Sequence, residues 1–111
     1  MDLSASPSTV ASGNVNIVVT NFGFRTHELV ILPLTDGQAV GQRTVGSDGK
    51  VDEGGSVGEV SNNCGSGTGK GILAGSLGWT MLTLTPGHYE FICNLSNHYS
   101  AGMYQEVIVN P

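Results

Sequence analysis

Three side chains with sulfur or imidazole donors lie on one short stretch near the carboxyl end of the sequence. Cys93, His98 and Met103 have four residues between each neighbouring pair. A loop of this length can curl so that a thiolate, an imidazole and a thioether reach one point. Thiolate and thioether ligands select copper, and imidazole suits both of its oxidation states. One further nitrogen donor would complete a trigonal plane of two histidines and one cysteine with a weak axial methionine, and His27 is the candidate.

Each of these four residues also has an ordinary structural role. A histidine at a strand edge, a buried cysteine and a core methionine are common, so the hypothesis rests on the four together. His88 follows a Pro-Gly turn and alternates to the face opposite Cys93, so we expect it to be exposed rather than a ligand. Cys64 has no histidine or cysteine near it in sequence, which favours a free thiol over a second metal ligand or a disulfide with Cys93. Aromatic residues flank the candidate ligands and either pack around the metal or lie on the surface: Phe22, Phe24, Tyr99 and Tyr104.

Length and composition limit how the rest of the chain can position these donors. The 111 residues are enough for one domain. The sequence has 17 glycines, 4 prolines and only 12% charged residues, which favours short strands joined by turns. Four Lys and Arg stand against nine Asp and Glu with no basic run, and this excludes nucleic acid as a partner. No apolar stretch approaches the ~18 residues that span a bilayer, and the amino terminus lacks the features of a secretory signal.

Alternating and apolar runs predict a series of strands separated by turn residues. The second of them is expected to end at Pro33, and Trp79 and Phe91 are expected to fill the core. Strands at short intervals without a helical pattern predict an all-β, Greek-key β-sandwich of about seven strands. The predicted strands are 14–20, 28–32, 78–84, 89–93 and 104–109, with weaker ones near 40–45 and 56–60.

Two segments are predicted to lie outside the strands. Residues 1–13, rich in Ser, Ala and Thr, are interpreted as a flexible lead-in to a single domain at 14–111. The glycine-rich and polar residues 62–71 predict a long mobile loop.

The pattern His27-Glu28-Leu29-Val30 with Cys93-x4-His98-x4-Met103 resembles the blue copper proteins, or cupredoxins. The loop spacing, the string Pro86–Phe91 and the residues His98–Tyr104 are similar to the sulfocyanin and rusticyanin group. The resemblance covers residues 14–110 and implies a cupredoxin-like sandwich holding one copper ion. The ligands that it implies are His27, Cys93, His98 and Met103.

The resemblance also implies a function. It implies a carrier of single electrons that cycles between Cu(I) and Cu(II), is not an enzyme, and docks redox partner proteins at an uncharged patch near His98. It further implies a monomer in an extracytoplasmic compartment, periplasmic or at the cell surface, with or without a membrane anchor in the full-length precursor. A copper-trafficking or storage module, and a cupredoxin domain cut from a larger oxidase or reductase, stay open as alternatives.

Two positions depart from the pattern of the similar family. Glu28 stands where many relatives have Asn or Ser, and an ionised carboxylate can only accept hydrogen bonds. Its backbone N–H could still reach the Cys93 sulfur. Ser96-Asn97 stands where Pro-Gly is frequent, which changes the stiffness expected of the ligand loop.

Overall fold

The computed structural model describes residues 2–60 and 71–111. All regular structure in these two ranges is β-strand, and no helix in them is long and apolar enough to cross a membrane. The prediction of an all-β sandwich with about seven strands is confirmed. The strands are β1 Thr9–Ala11, β2 Gly13–Thr20, β3 Leu29–Leu34, β4 Gly58–Val60, β5 Leu77–Leu84, β6 Gly87–Ile92 and β7 Tyr104–Asn110.

The strands form two sheets. Five of them make one sheet in the order β1-β7-β6-β3-β4, and β2 pairs with β5 in a second sheet. All pairs are antiparallel except β1 with β7. The antiparallel pair β6 and β7 aligns Ile92 with Tyr104. Because these two residues are neighbours across the ladder, residues 93–103 must leave and re-enter the sheet at one point.

The five-stranded sheet is buried on both of its faces. One core cluster joins it to the two-stranded sheet: Ile17, Leu29, Ile31, Val60, Ile72, Leu84, Tyr89, Phe91, Val107 and Val109. A second cluster lies on its other face: Val30, Leu32, Val51, Ile92 and Tyr99. Strands with two buried faces lose the alternation of polar and apolar residues, which explains the unbroken apolar run Leu29–Leu32.

The strand that was expected to end at Pro33 continues through it. Pro33 is aligned with Tyr89 of β6, and its carbonyl accepts a hydrogen bond from the Arg43 guanidinium at 2.8 Å. The nitrogen and carbonyl of one strand residue point to the same side. The missing N–H of Pro33 therefore lies on the side away from β6, where β4 has already ended, and no ladder bond is lost.

The segment predicted as a flexible lead-in contains a strand. Thr9–Ala11 pairs in parallel with β7, with Thr9 aligned to Ile108, and Leu3 and Ala5 pack against the first core cluster. A three-residue edge strand is held by its ladder bonds to the neighbouring strand, so its own composition gives no strand signal. The predicted mobile loop at 62–71, apart from Gly71, and Cys64 lie outside the described residues.

Trp79 is not a core residue, although Phe91 is. Phe91 is 7% exposed, whereas Trp79 is 39% exposed. Alternation along β5 places Trp79 on the outer face with Leu77 and Met81, and Thr80 on the inner face. Because both faces of β5 carry apolar residues, the sequence pattern does not indicate which face is buried.

Candidate metal centre

His27 is held at the edge of the sandwich by backbone bonds. It forms an isolated antiparallel bridge with Ile72, and its N–H donates to the Ile72 carbonyl at 3.1 Å. The preceding turn is organised by the buried Asn21 side chain. Its amide donates to the carbonyls of Arg25 at 2.7 Å and Ile72 at 2.8 Å, and its oxygen accepts the N–H of Gly23 at 2.9 Å. The backbone of His27 is thus held by the bridge to Ile72 and by the turn that precedes it.

The loop from Cys93 to Met103 is closed by its own backbone. The Cys93 N–H donates to the Met103 carbonyl at 3.1 Å, and the Met103 N–H donates to the His98 carbonyl at 3.2 Å. The His98 N–H in turn donates to the Leu95 carbonyl at 2.9 Å. These bonds curl the loop so that the residues at its start, middle and end are drawn together.

Three donor atoms meet at this point. The Cys93 sulfur lies 3.3 Å from Nδ1 of His98 and 3.7 Å from Nδ1 of His27, and the two Nδ1 atoms are 3.2 Å apart. Bonds of about 2.0–2.1 Å to nitrogen and about 2.3 Å to sulfur, arranged in a trigonal plane, place the donors about 3.5–3.8 Å apart. The observed triangle therefore fits a first-row metal ion with little adjustment.

Two further groups adjoin the triangle. The Glu28 backbone N–H donates to the Cys93 sulfur at 3.3 Å, as the sequence suggested. The Met103 side chain is 3% exposed and, like His27, lines a cleft of about 740 Å³ between the amino-terminal segment and β2. The donor set, with Met103 beside it, is consistent with one copper ion.

The sequence matches the model of the sulfocyanin (SoxE) domain over residues 8–111. The chain belongs to the sulfocyanin domain family. No curated protein matches the sequence. The family predicted from the ligand pattern is therefore confirmed.

Solved structures of blue copper proteins share the fold. Reduced auracyanin from the photosynthetic bacterium Roseiflexus castenholzii matches with a TM-score of 0.64 at 22% identity, covering 93% of this chain and 82% of its own. Auracyanin B matches with a TM-score of 0.63 at 21% identity, covering 99% of this chain and 77% of its own. The copper protein rusticyanin matches with a TM-score of 0.55 at 20% identity, covering 98% of this chain and 60% of its own. The sulfocyanin-family sandwich is thus a cupredoxin fold.

Burial sets the protonation of the donors in this cupredoxin. Desolvation lowers the pKa of His98, and desolvation together with the nearby His98 charge lowers the pKa of His27. Desolvation raises the pKa of the Cys93 thiol, although the Glu28 N–H acts in the opposite direction. At neutral pH and without a metal, the site therefore holds two neutral imidazoles and a protonated thiol.

Glu28 is buried beside these donors. It is 8% exposed. Desolvation, with the charges of Glu59 and Glu53, raises its pKa to about 7. The backbone N–H of Asn94 acts against that shift. The residue that departs from the family pattern thus links the His27 segment to the start of the ligand loop.

A buried polar network stabilises the ligand loop. It was not predicted from the sequence. Glu90 is fully buried in β6 and accepts hydrogen bonds from Gly41 N–H at 2.7 Å, Arg43 Nε at 2.6 Å and the Tyr99 hydroxyl at 2.8 Å. Tyr99 directly follows His98. Desolvation, with Glu90 also acting in this direction, raises the pKa of Tyr99 to about 12. The single signal available in the sequence was an acidic residue inside an apolar strand.

The Ser96-Asn97 step is anchored on a neighbouring turn. Asn97 has a φ of 69°, the left-handed conformation that asparagine tolerates better than most residues. Its N–H donates to the Gly49 carbonyl at 2.8 Å, and the Ser96 hydroxyl donates to the Asp48 carbonyl. A Cβ on Gly49 would overlap both side chains. The loop is therefore held at this step by contacts with residues 48–49.

The structure separates the aromatic and histidine side chains near the site into buried and exposed ones. His98 is only 9% exposed and Tyr99 only 2%, whereas Phe22 is 90% and Phe24 100% exposed. His98 is therefore largely buried, although the resemblance implies a docking patch near it. His88 is exposed, as predicted, and pairs with Glu106 at 2.7 Å.

Proposed function

We propose that this domain is a type 1 copper protein that carries single electrons between redox partner proteins. The supporting observation is the triangle of Cys93 Sγ and the two Nδ1 atoms of His27 and His98, with edges of 3.2–3.7 Å. These three residues would be the strong ligands, and Met103 the weak axial one. Copper supplies the one-electron Cu(I)/Cu(II) couple when bound.

The chain contributes rigidity to this function. Asn21 fixes the segment before His27, and the backbone bonds between Cys93 and Met103 fix the loop. The Glu28 N–H donates to the sulfur and favours its thiolate form. Donors held in one geometry need little rearrangement between oxidation states, which is what a carrier of electrons requires. We further propose that the domain is a monomer without enzymatic activity, acts in an extracytoplasmic compartment, and docks its partners at the end that carries His27 and His98.

The two cysteines provide the test of the copper site. Titration of the metal-free domain with Cu(II) is expected to saturate at one equivalent and to give an intense visible band from thiolate-to-copper charge transfer. Cys93→Ser should abolish the band, because a serine hydroxyl cannot supply that transition. Cys64→Ser is the matched control and should retain it. A Cys93→Ser protein that keeps the band would refute the proposal.

Copper binding is also expected to release a proton. Because burial keeps the Cys93 thiol protonated and both imidazoles neutral near neutral pH, binding of Cu(II) should displace about one proton, from the thiol. Affinity for copper should therefore rise with pH in this range, and fall more steeply once the pH drops below the histidine pKa values. Calorimetry in buffers of different ionisation enthalpy measures the proton count. Release of no protons would show that the Cys93 thiol is not deprotonated when copper binds.

A further inference from the structure

A short hairpin packs against the ligand loop from outside. Val45 and Val51 form an isolated antiparallel bridge, and the Gly46 N–H donates to the Lys50 carbonyl at 2.8 Å. We call residues 45–51 the hairpin. Because these bonds fold it on itself, the hairpin can support the segment that it contacts.

Asn94, the residue after Cys93, joins the start of the ligand loop to the end of the hairpin. Its side-chain amide pairs with Val51 as a neighbouring peptide group would, since Oδ1 accepts the N–H at 2.8 Å and Nδ2 donates to the carbonyl at 2.8 Å. Nδ2 also donates to Oε2 of Glu53 at 2.7 Å. Asn94 is 2% exposed, so loss of these bonds would leave buried polar groups without partners.

A second contact lies three residues further along the loop. The Asn97 N–H donates to the Gly49 carbonyl at 2.8 Å, and the Ser96 hydroxyl donates to the Asp48 carbonyl. Gly49 has a φ of 76°, and a Cβ there would lie 2.6 Å from Oγ of Ser96 and 2.8 Å from the nitrogen of Asn97, too close for a real contact. The backbone immediately before His98 therefore rests directly on the hairpin.

The two contacts lie between two of the proposed ligands. Cys93 directly precedes the first contact and His98 directly follows the second, and their Sγ and Nδ1 atoms are 3.3 Å apart. The third donor, His27, is held through Ile72 and Asn21, which are not part of the hairpin. The hairpin therefore acts on one edge of the donor triangle.

We propose that the hairpin is a positioning element of the metal centre, which holds Cys93 and His98 at one spacing through Asn94 and Asn97 and keeps the ligand loop closed. This inference rests on the proposed function, and it assigns retention of copper to a segment outside the ligands. A segment opens locally against the free energy of the contacts that hold it. A loop with weaker contacts to the hairpin should open more often, and copper should leave it faster. An electron carrier needs such retention, whereas a trafficking module must release its metal.

Gly49→Ala is the variant that separates the loop from the hairpin. The added methyl group meets Ser96 and Asn97 and should push the loop away. Gly55→Ala is the matched control, because Gly55 has a similar φ of 86° and alanine incurs a similar backbone strain there. A Cβ on Gly55 would have no atom within 4 Å. A difference between the two proteins therefore reports the contact with the loop rather than the loss of a glycine.

The first measurement uses the metal-free domain. Cys93 is completely buried, so iodoacetamide can alkylate it only when the loop opens. With Cys64→Ser in every protein, Cys93 is the one thiol left in the sequence, and mass spectrometry follows its alkylation. The alkylation rate is expected to be about tenfold higher in Gly49→Ala than in Gly55→Ala, which should stay within about twofold of the parent domain.

The second measurement uses the copper-loaded domain. Transfer of Cu(I) from the reduced domain to excess bicinchoninate should be about tenfold faster in Gly49→Ala than in Gly55→Ala. The visible band of oxidised Gly49→Ala should also shift or broaden, because the spacing of Cys93 and His98 changes, whereas Gly55→Ala should keep the band of the parent. The band separates positioning of the donors from a general loss of stability, which leaves the spectrum of the folded protein unchanged.

A milder pair of variants decides the question if Gly49→Ala does not fold. Ser96→Ala removes the hydroxyl that donates to Asp48. Ser56→Ala is its control, because the Ser56 hydroxyl is exposed and bonds to Gly58. Alkylation and copper transfer should both be about threefold faster in Ser96→Ala and unchanged in Ser56→Ala.

Two results would overturn the positioning role. Alkylation and copper-transfer rates within about twofold of the matched control, in Gly49→Ala or in Ser96→Ala if the first does not fold, would show that the hairpin does not hold the loop. Faster alkylation with copper transfer and the visible band unchanged would restrict the hairpin to the metal-free protein. A parent domain without the visible band would instead refute the proposed function, and the alkylation rates would still test whether the hairpin closes the loop.

Discussion

Replacing Arg43 by methionine is expected to lower the free energy of unfolding by about 3–5 kcal/mol, the cost of leaving one member of a buried ion pair uncompensated. Glu90 is completely buried, and the Arg43 side chain is 11% exposed. In the Arg43→Met protein the carboxylate would keep only the Tyr99 hydroxyl and the Gly41 N–H as donors. The Pro33 carbonyl would lose its guanidinium donor as well. Methionine fills much of the same space, so the loss would come from electrostatics rather than from a cavity.

Urea unfolding of the metal-free domain measures this effect without interference from metal binding. Lys50→Met is the matched control, because Lys50 is an exposed cation, and a change within about 0.5 kcal/mol is expected there. A loss below about 1 kcal/mol in Arg43→Met would show that Glu90 is satisfied without Arg43. Because Tyr99 joins Glu90 to the residue after His98, copper-loaded Arg43→Met should also show a broadened visible band.

The candidate site was largely predictable because three of its residues are close in sequence. Soft donors spaced evenly between two strands form a local pattern, and a loop closed by an antiparallel pair brings its members together. His27 is distant in sequence, and it was connected to the other three only as the further nitrogen donor that the ligand set needs and by the resemblance to a known family. The structure brings its Nδ1 within 3.7 Å of the Cys93 sulfur.

What the sequence could not show depends on contacts between distant segments. His98 is only 9% exposed, although the resemblance implies that partners dock near it. Asn97, which precedes it, donates to the carbonyl of Gly49, and Asn94 bonds the backbone of Val51. These bonds draw the 48–51 segment against the loop. No pattern in either segment alone reports such packing.

The same limit applies to charge and to strand faces. Glu90 stood out as an acidic residue in an apolar strand, but its partner Arg43 lies 47 residues earlier on an irregular segment. For Trp79, both faces of β5 carry apolar residues, so alternation predicted a strand without indicating which face is buried. Local pattern therefore predicted the longer strands, whereas long-range pairing formed the edge strand β1 and determined which side chains the strands bury.

Met103→Leu is expected to raise the reduction potential of the copper-loaded domain by about 60 mV or more, which is a tenfold change in the equilibrium of a one-electron couple. A thioether is a weak neutral donor, and its removal destabilises Cu(II) more than Cu(I). Leucine and methionine have similar volumes, so the buried position, 3% exposed in the parent, should pack with a loss below about 1.5 kcal/mol.

Voltammetry of Met103→Leu and Met81→Leu separates a ligand effect from a general effect of removing sulfur. Met81 is 53% exposed on the outer face of the β2–β5 sheet, and its replacement should leave the potential unchanged. The visible band should persist in both proteins, because His27, Cys93 and His98 are untouched. A potential that is unchanged or lower in Met103→Leu would show that this methionine only fills the core. The backbone bonds that Met103 makes to Cys93 and His98 would then be its contribution to the site.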